Sequence, residues 1–252
     1  MSTLPHYVVN FPGGIQLGFV RVPGKTPELL VVGGYGKSAL EKPIGTCILN
    51  FALQRGLACI VLEFRGQGRS SPLPHGMTIP GMRDDLIQAA DSLGLRNCIG
   101  IGASLGAWAM LAAVERRRKL LWGMLALAPA IDWDLTYFKP LSERGGLQRN
   151  ELGFVKALES GIIVGPSFFN DLDDCRIDMR SLILPGHLHV IHGAMDNIAP
   201  LERSDRLVAE CGGRLLVLPN GGHEISALQS QESQNAFVRE CDAIVARAVE
   251  HA

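Results

Sequence analysis

The stretch Gly102-Ala103-Ser104-Leu105-Gly106 constrains this chain more than any other. It follows the apolar run Asn97-Cys98-Ile99-Gly100-Ile101 and precedes Ala107-Trp108-Ala109-Met110-Leu111-Ala112-Ala113. The pattern reads as a buried strand, a sharp turn and a helix, with Ser104 lifted above the end of a sheet at the helix N-terminus. Glycine on both sides lets the strand and helix backbones come closer than side chains would permit.

The rest of the chain alternates in the same way. Tyr7 to Phe11 and Ile15 to Val22 flank Pro12-Gly13-Gly14 and predict an antiparallel hairpin. Leu29 to Gly33, Ala58 to Phe64, Leu121 to Ala128, His187 to His192 and Arg214 to Leu218 are short apolar runs of the central-strand kind. Between and after them, Leu40 to Arg55, Pro80 to Leu93, Ser204 to Glu210 and Glu232 to Ala248 read as helices, with Pro43 in a first turn. Repeated strand–helix units predict an α/β class with a mostly parallel sheet covered by helices on both faces.

Residues 132–176 break the rhythm. Trp133, Tyr137, Phe138, Phe154, Phe168 and Phe169 lie there among Gly, Asp and Glu, with turn signals and room for one or two short helices. A connection that long needs a purpose. The reading is a small lid insertion, its aromatics and Ile162-Ile163-Val164 facing an apolar pocket, within one domain covering 1–252.

Composition closes off several function classes. Apolar residues make up 47% and charged residues 19%, which allows a large core and argues against disorder. The net charge is -1 and no basic stripe is present, so no nucleic-acid partner is expected. Arg116-Arg117-Arg118-Lys119 reads as a solvated cap at a helix C-terminus. No stretch is long and apolar enough to span a bilayer, so no stable membrane insertion is expected. Met1-Ser2-Thr3-Leu4-Pro5-His6 lacks the marks of a signal peptide, and the expected location is cytoplasmic. Cys47, Cys59, Cys98, Cys175, Cys211 and Cys241 are scattered without metal-binding spacing, and neither a metal nor a cofactor is implied.

Ser104 needs a base to become nucleophilic at neutral pH. His6, His75 and His251 lie in terminal or loop positions, and His187, His189 and His192 fall on or beside a predicted strand, where they read as satisfied structural residues. His223 differs: it follows Leu218-Pro219-Asn220-Gly221-Gly222, a glycine-rich loop that can hold an imidazole over a sheet edge. Asp196, in the loop after the penultimate strand, is the candidate acid, with Asp132 as its competitor. The acid would fix the tautomer of His223 and stabilise its imidazolium. Negative charge on a substrate carbonyl oxygen would meet the backbone N–H groups of Leu105 and Tyr35, the latter in Gly33-Gly34-Tyr35-Gly36-Lys37-Ser38. That loop lacks the spacing of a phosphate cradle. Glu63-Phe64-Arg65-Gly66-Gln67-Gly68-Arg69-Ser70 reads as a tight turn beside the entrance.

With these motifs in place, the chain resembles the serine hydrolases of the α/β-hydrolase superfamily along nearly its whole length. Arg65 through Ser70 is similar to the family's Arg-Gly-x-Gly-x-Ser turn. His192-Gly193 with Asp196 and Pro200 is similar to its acid loop, and Gly222-His223 to its histidine loop. Within the superfamily it most resembles the mitochondrial depalmitoylating and acyl-glucuronide-cleaving subgroup, through Gly34-Tyr35, the Lys42-to-Phe51 region, Gly102 through Leu111, and Ile191 through Pro200. Ala107 stands where that group has a glycine, Asn197 where an acid is common, and no mitochondrial presequence is visible. The resemblance implies the α/β-hydrolase fold and a catalytic Ser104–Asp196–His223 triad. The expected activity is hydrolysis of a small-molecule ester or thioester through an acyl-enzyme, an acylated protein being a second candidate substrate. A carbon–carbon bond hydrolase, a lactonase, a peptidase and a non-catalytic hydrolase-like binding protein remain the alternatives.

Overall fold

The N-terminal hairpin forms as the Pro12-Gly13-Gly14 turn predicts: β1 (His6–Phe11) pairs antiparallel with β2 (Ile15–Val22). The computed structural model describes residues 4–182, 184 and 188–250. The predicted His187 and His251 positions and Met1-Ser2-Thr3 lie outside the described residues. Next come β3 (Lys25–Val32) and α1 (Pro43–Arg55). The strand starts before Leu29 because Lys25 N–H donates to Gly56 O (2.8 Å), extending the pairing beyond the apolar run. The helix begins at Pro43 rather than Leu40. Ser38 Oγ caps a separate turn, Ala39–Glu41, and the proline opens a new helix where no N–H is needed.

β4 (Leu57–Leu62), α2 (Ile79–Leu93), β5 (Cys98–Ala103), α3 (Leu105–Arg116) and β6 (Leu121–Leu127) follow as expected. The cationic cluster ends α3 on the surface, Arg117 paired with Asp91 at 2.9 Å and Arg116 with Asp174 at 3.3 Å. The chain then leaves the sheet through a π-helical turn, Asp134–Phe138, and α4 (Lys139–Glu143). After α4 it forms a small antiparallel sheet of β7 (Leu147–Arg149), β8 (Val155–Ala157) and β9 (Ile163–Val164). The sequence reading foresaw short helices here but not this meander. Its strands of three, three and two residues are too short for an alternating pattern to register. β10 (Leu188–Gly193), α5 (Leu201–Cys211), β11 (Arg214–Leu218) and α6 (Gln231–Glu250) complete the chain.

Among the described residues the main sheet has the order β1-β2-β4-β3-β5-β6-β10-β11, with β2 antiparallel to both its neighbours and the pairs from β4 to β11 parallel. Alternate residues feed two cores. Leu30 and Val32 of β3 join α2, α3 and α5 on one face, while Leu29 and Val31 join α1 and α6 on the other. This is the α/β-hydrolase fold: a mostly parallel sheet between helical layers, with a small insertion. Adjacent strands β3 and β5 send their connections to opposite sides, and such a switch point opens a crevice beyond the strand ends.

The elbow is built at that crevice. Ser104 sits at φ 52° and ψ -123°, a region non-glycine residues rarely occupy, and the strain is held by its N–H bond to Leu127 O (2.9 Å). The flanking glycines are there for contact. A Cβ on Gly102 would lie 2.8 Å from Ala107 Cα, and one on Gly106 would collide with Gly33 O. Gly106→Ala therefore presses α3 off the end of β3. It is expected to cost about 1–3 kcal/mol in urea denaturation and to lower activity by displacing the adjoining turn. Unchanged stability and activity would remove steric closeness as the reason for glycine at this position.

Candidate active site

Two loops converge on the elbow. Ser104 ends β5, His223 opens the turn after β11, and Asp196 lies in the loop after β10. The last two are brought together by backbone contact at glycine. Met195 N–H donates to Gly221 O (2.9 Å), and a Cβ on Gly193 would strike Gly221 O. The glycine-rich run before His223 thus serves to let one loop pass against another.

His223 Nε2 lies 3.0 Å from Ser104 Oγ, and His223 Nδ1 lies 2.8 Å from Asp196 Oδ2. Every oxygen of the acid is occupied. Oδ1 accepts from the N–H groups of Ile198 (2.8 Å) and Ala199 (2.9 Å), and Oδ2 also meets His192 Nε2 at 3.2 Å. Burial alone would push the Asp196 carboxyl up. The hydrogen bonds from His192 and His223, the His223 charge and the Ala199 amide outweigh it and hold the group well below the usual carboxylate range.

His192, read from sequence as a structural residue, is buried and fully bonded, and it also meets the acid, a contact the sequence reasoning did not anticipate. Its Nε2–H is shared between Asp196 and Ala199 O (2.9 Å), and its Nδ1 bonds Ser204 Oγ (2.7 Å). The available signal was its spacing of four residues before Asp196. His189 is structural as expected, its Nδ1 bonded to buried Glu240 at 2.9 Å. The competitor Asp132 is spent elsewhere: it pairs with Arg176 Nη1 at 3.1 Å and with Arg203. Arg65 also has a fixed partner, bonding Asp85 Oδ1 through Nε at 2.6 Å and Oδ2 through its N–H at 2.9 Å.

A cavity of about 190 Å³ opens onto Ser104 and His223. Gly34, Tyr35 and Leu105 line it, so both candidate oxyanion donors belong to residues facing the nucleophile. Gly34 is packed so tightly that a Cβ there would lie 3.0 Å from Ser104 Cβ. Behind this turn, Gln67 Nε2 donates to Gly34 O at 2.8 Å. In front of it, the Tyr35 hydroxyl accepts from Gly165 N–H (3.1 Å), tying the turn to the insertion. Trp133 and Ile162 of the insertion line the cavity together with Ile44, Ile198 and Lys42.

The expectation that Ile162-Ile163-Val164 and the aromatics face the pocket as a group needs correction. Ile163 is half exposed, Val164 is buried, and Phe138 and Phe168 pack against each other and Trp133. Successive residues of a strand point to opposite sides, so a run of three cannot share one wall. Among the described residues no His, Cys, Asp and Glu are grouped to hold a metal ion, and no helix is long and apolar enough to cross a membrane.

The family model described as "Alpha/beta hydrolase family" matches residues 29–240. That span carries the elbow, the acid loop and the histidine loop. The chain belongs to the alpha/beta hydrolase family. It is 25% identical over 201 residues to the palmitoyl-protein thioesterase ABHD10 of Pongo abelii, covering 78% of this chain and 65% of that protein. With the protein of the same name from Bos taurus it is 29% identical over 212 residues, covering 77% of this chain and 66% of that protein. The chain thus spans slightly less than two thirds of these relatives. Alpha/beta hydrolase domain-containing protein 10 from mouse superposes with a TM-score of 0.80 at 19% identity, over 96% of this chain and 99% of that one, a likeness of fold.

The cytoplasmic expectation does not stand against these findings, because the curated relatives are named as mitochondrial proteins. It had rested on composition and on the lack of a secretory-type N-terminus. Compartments are set by addresses that receptors read, and the makeup of a folded core does not report them.

Proposed function

We propose that this protein is a serine hydrolase that cleaves a carboxylic ester or thioester of a small molecule. The observation that carries the reading is the continuous hydrogen-bond chain Ser104–His223–Asp196, which ends at the cavity that Tyr35 and Leu105 line. Family and fold support a serine-type esterase or thioesterase.

Ser104 Oγ attacks the acyl carbon while its proton passes to His223 Nε2. The imidazolium is stabilised by Asp196, and the carbonyl electron pair moves to an oxygen held by Tyr35 and Leu105 N–H. Collapse expels the alcohol or thiol, which takes the proton from Nε2. Water, deprotonated by the same nitrogen, then attacks the acyl-serine and releases the acid. The whole chain acts as one catalytic domain, and residues 132–176 act as its lid, contributing Trp133 and Ile162 to the acyl wall.

Cavity size favours a short acyl group. Pockets that hold drug-sized ligands run from roughly 300 to 1,000 Å³, and this one encloses about 190 Å³. A palmitoyl protein, the substrate class in the relatives' name, is the competing reading. Turnover of p-nitrophenyl esters and acyl thioesters from acetyl to palmitoyl separates them. The expected kcat/KM peaks between acetyl and hexanoyl and is at least about tenfold lower for palmitoyl, a difference near 1.4 kcal/mol. A maximum at palmitoyl would replace the short-chain assignment. No turnover of any member would count against ester and thioester hydrolysis altogether.

A further inference from the structure

The oxyanion turn is held from behind by a side chain with no access to substrate. Gln67 lies in the Arg65-to-Ser70 turn, is 3% exposed, and does not line the cavity. Its Nε2 donates to Gly34 O at 2.8 Å and, at 3.4 Å, to Lys37 O. Its Oε1 accepts from Phe64 N–H at 3.2 Å, which fixes the amide with its nitrogen toward Gly34. The two carbonyls it holds bracket the segment Gly34 to Lys37.

The peptide between Gly34 and Tyr35 is planar and trans, so its C=O and N–H point in opposite directions. Whatever grips the Gly34 carbonyl therefore aims the Tyr35 N–H. Gly34 itself lies against Ser104, with its Cβ position 3.5 Å from Ser104 Oγ. We infer that Gln67 is a positioning residue for the reaction: by anchoring Gly34 O on the far side, it presents the Tyr35 amide to the oxyanion formed at Ser104. This rests on the hydrolase reading above and extends it to a residue outside the triad and the pocket.

The pull from Gln67 adds to the Tyr35–Gly165 bond in a turn whose own side chains do little to fix its peptide planes. Gly33, Gly34 and Gly36 give it little side-chain bulk, and Gly36 adopts φ 83°. A glycine-rich segment that must keep one N–H inward pays a large entropy unless something fixes it. A buried donor with a satisfied acceptor of its own is such a fixture.

The test compares Gln67→Glu, which keeps shape and the acceptor for Phe64 but removes the donor, with Gln67→Met, which keeps an unbranched chain of similar length. Thermal melting selects the variants that fold. On the best ester found for the wild type, kcat is expected to fall by about 10- to 100-fold with KM within about twofold, because the lost interaction exists only once charge develops on oxygen. Inhibition by a trifluoromethyl ketone of the matching acyl group, which adds to Ser104 and leaves an oxyanion, should weaken by a similar factor. Fluorophosphonate labelling in excess reagent should still reach completion in both variants.

A folded variant that keeps wild-type kcat and ketone affinity, or one whose loss lies in KM alone, would overturn the positioning role. Failure of the underlying reading looks different: the wild-type protein itself would neither label with fluorophosphonate nor turn over an ester.

Discussion

Ser104→Ala is expected to abolish covalent labelling by a fluorophosphonate and to lower ester turnover by about 10⁶-fold, the scale on which triad nucleophiles act. Ser104 Oγ is the atom His223 Nε2 contacts, at 3.0 Å, and the cavity that would receive an acyl group ends on it. The fold should be spared, since the strained backbone at φ 52° is held by a bond from the Ser104 N–H to Leu127 O that alanine retains. Thermal melting near the wild-type temperature together with lost labelling is therefore the expected pair. Labelling undiminished in the alanine variant would remove Ser104 from the mechanism.

Asp196→Asn is expected to reduce kcat by about 10⁴-fold while leaving the chain folded. The physical reason is a conflict of donors. Oδ1 of the wild-type acid accepts from two backbone N–H groups, Ile198 and Ala199, and Oδ2 faces two imidazoles. An asparagine that keeps its oxygen on the backbone amides must turn its NH₂ toward His223 Nδ1. That nitrogen then becomes an acceptor, the proton moves to Nε2, and Nε2 can no longer take the proton of Ser104. The opposite orientation sets NH₂ against two N–H donors in a buried place.

The acid also links the site to stability. Its folded pKa lies below the unfolded value, so its contribution is present above the ordinary carboxylate pKa of about 3.9 and is lost as pH falls through the folded value. The stability gap between wild type and Asp196→Asn should accordingly narrow in urea denaturation below about pH 4. A gap that widened there would contradict an ionised Asp196 in the folded protein.

Much of the frame was legible because strong local signals stand at its corners. The glycines around Ser104, the apolar strands, and the Gly221-Gly222 run each report a place where backbones touch, and the contacts at Gly106 and Gly193 are of that kind. The order Ser104, Asp196, His223 corresponds to three strand ends on one edge of the sheet. What escaped was either too short or too distant to leave a pattern. The β7–β9 meander spends few residues per strand, and the insertion's packing is decided by aromatic contacts across the segment, such as Phe138 with Phe169. Gln67 meets a carbonyl that only folding brings near, and Asp132 is excluded only by Arg176 and Arg203.

The bond from Gly165 to the Tyr35 hydroxyl bears on any attempt to recruit this scaffold for new acyl groups. Exchanging the segment 132–176 for that of a relative looks like a modular graft, since it leaves the main sheet untouched. Gly165 is nevertheless wedged against His75 O, where a Cβ would have no room, and from there it holds Tyr35, the residue proposed to supply an oxyanion amide. A grafted segment that lacks glycine at that point is expected to change rate as well as preference, so specificity on this scaffold is not separable from its proposed chemistry by cut and paste.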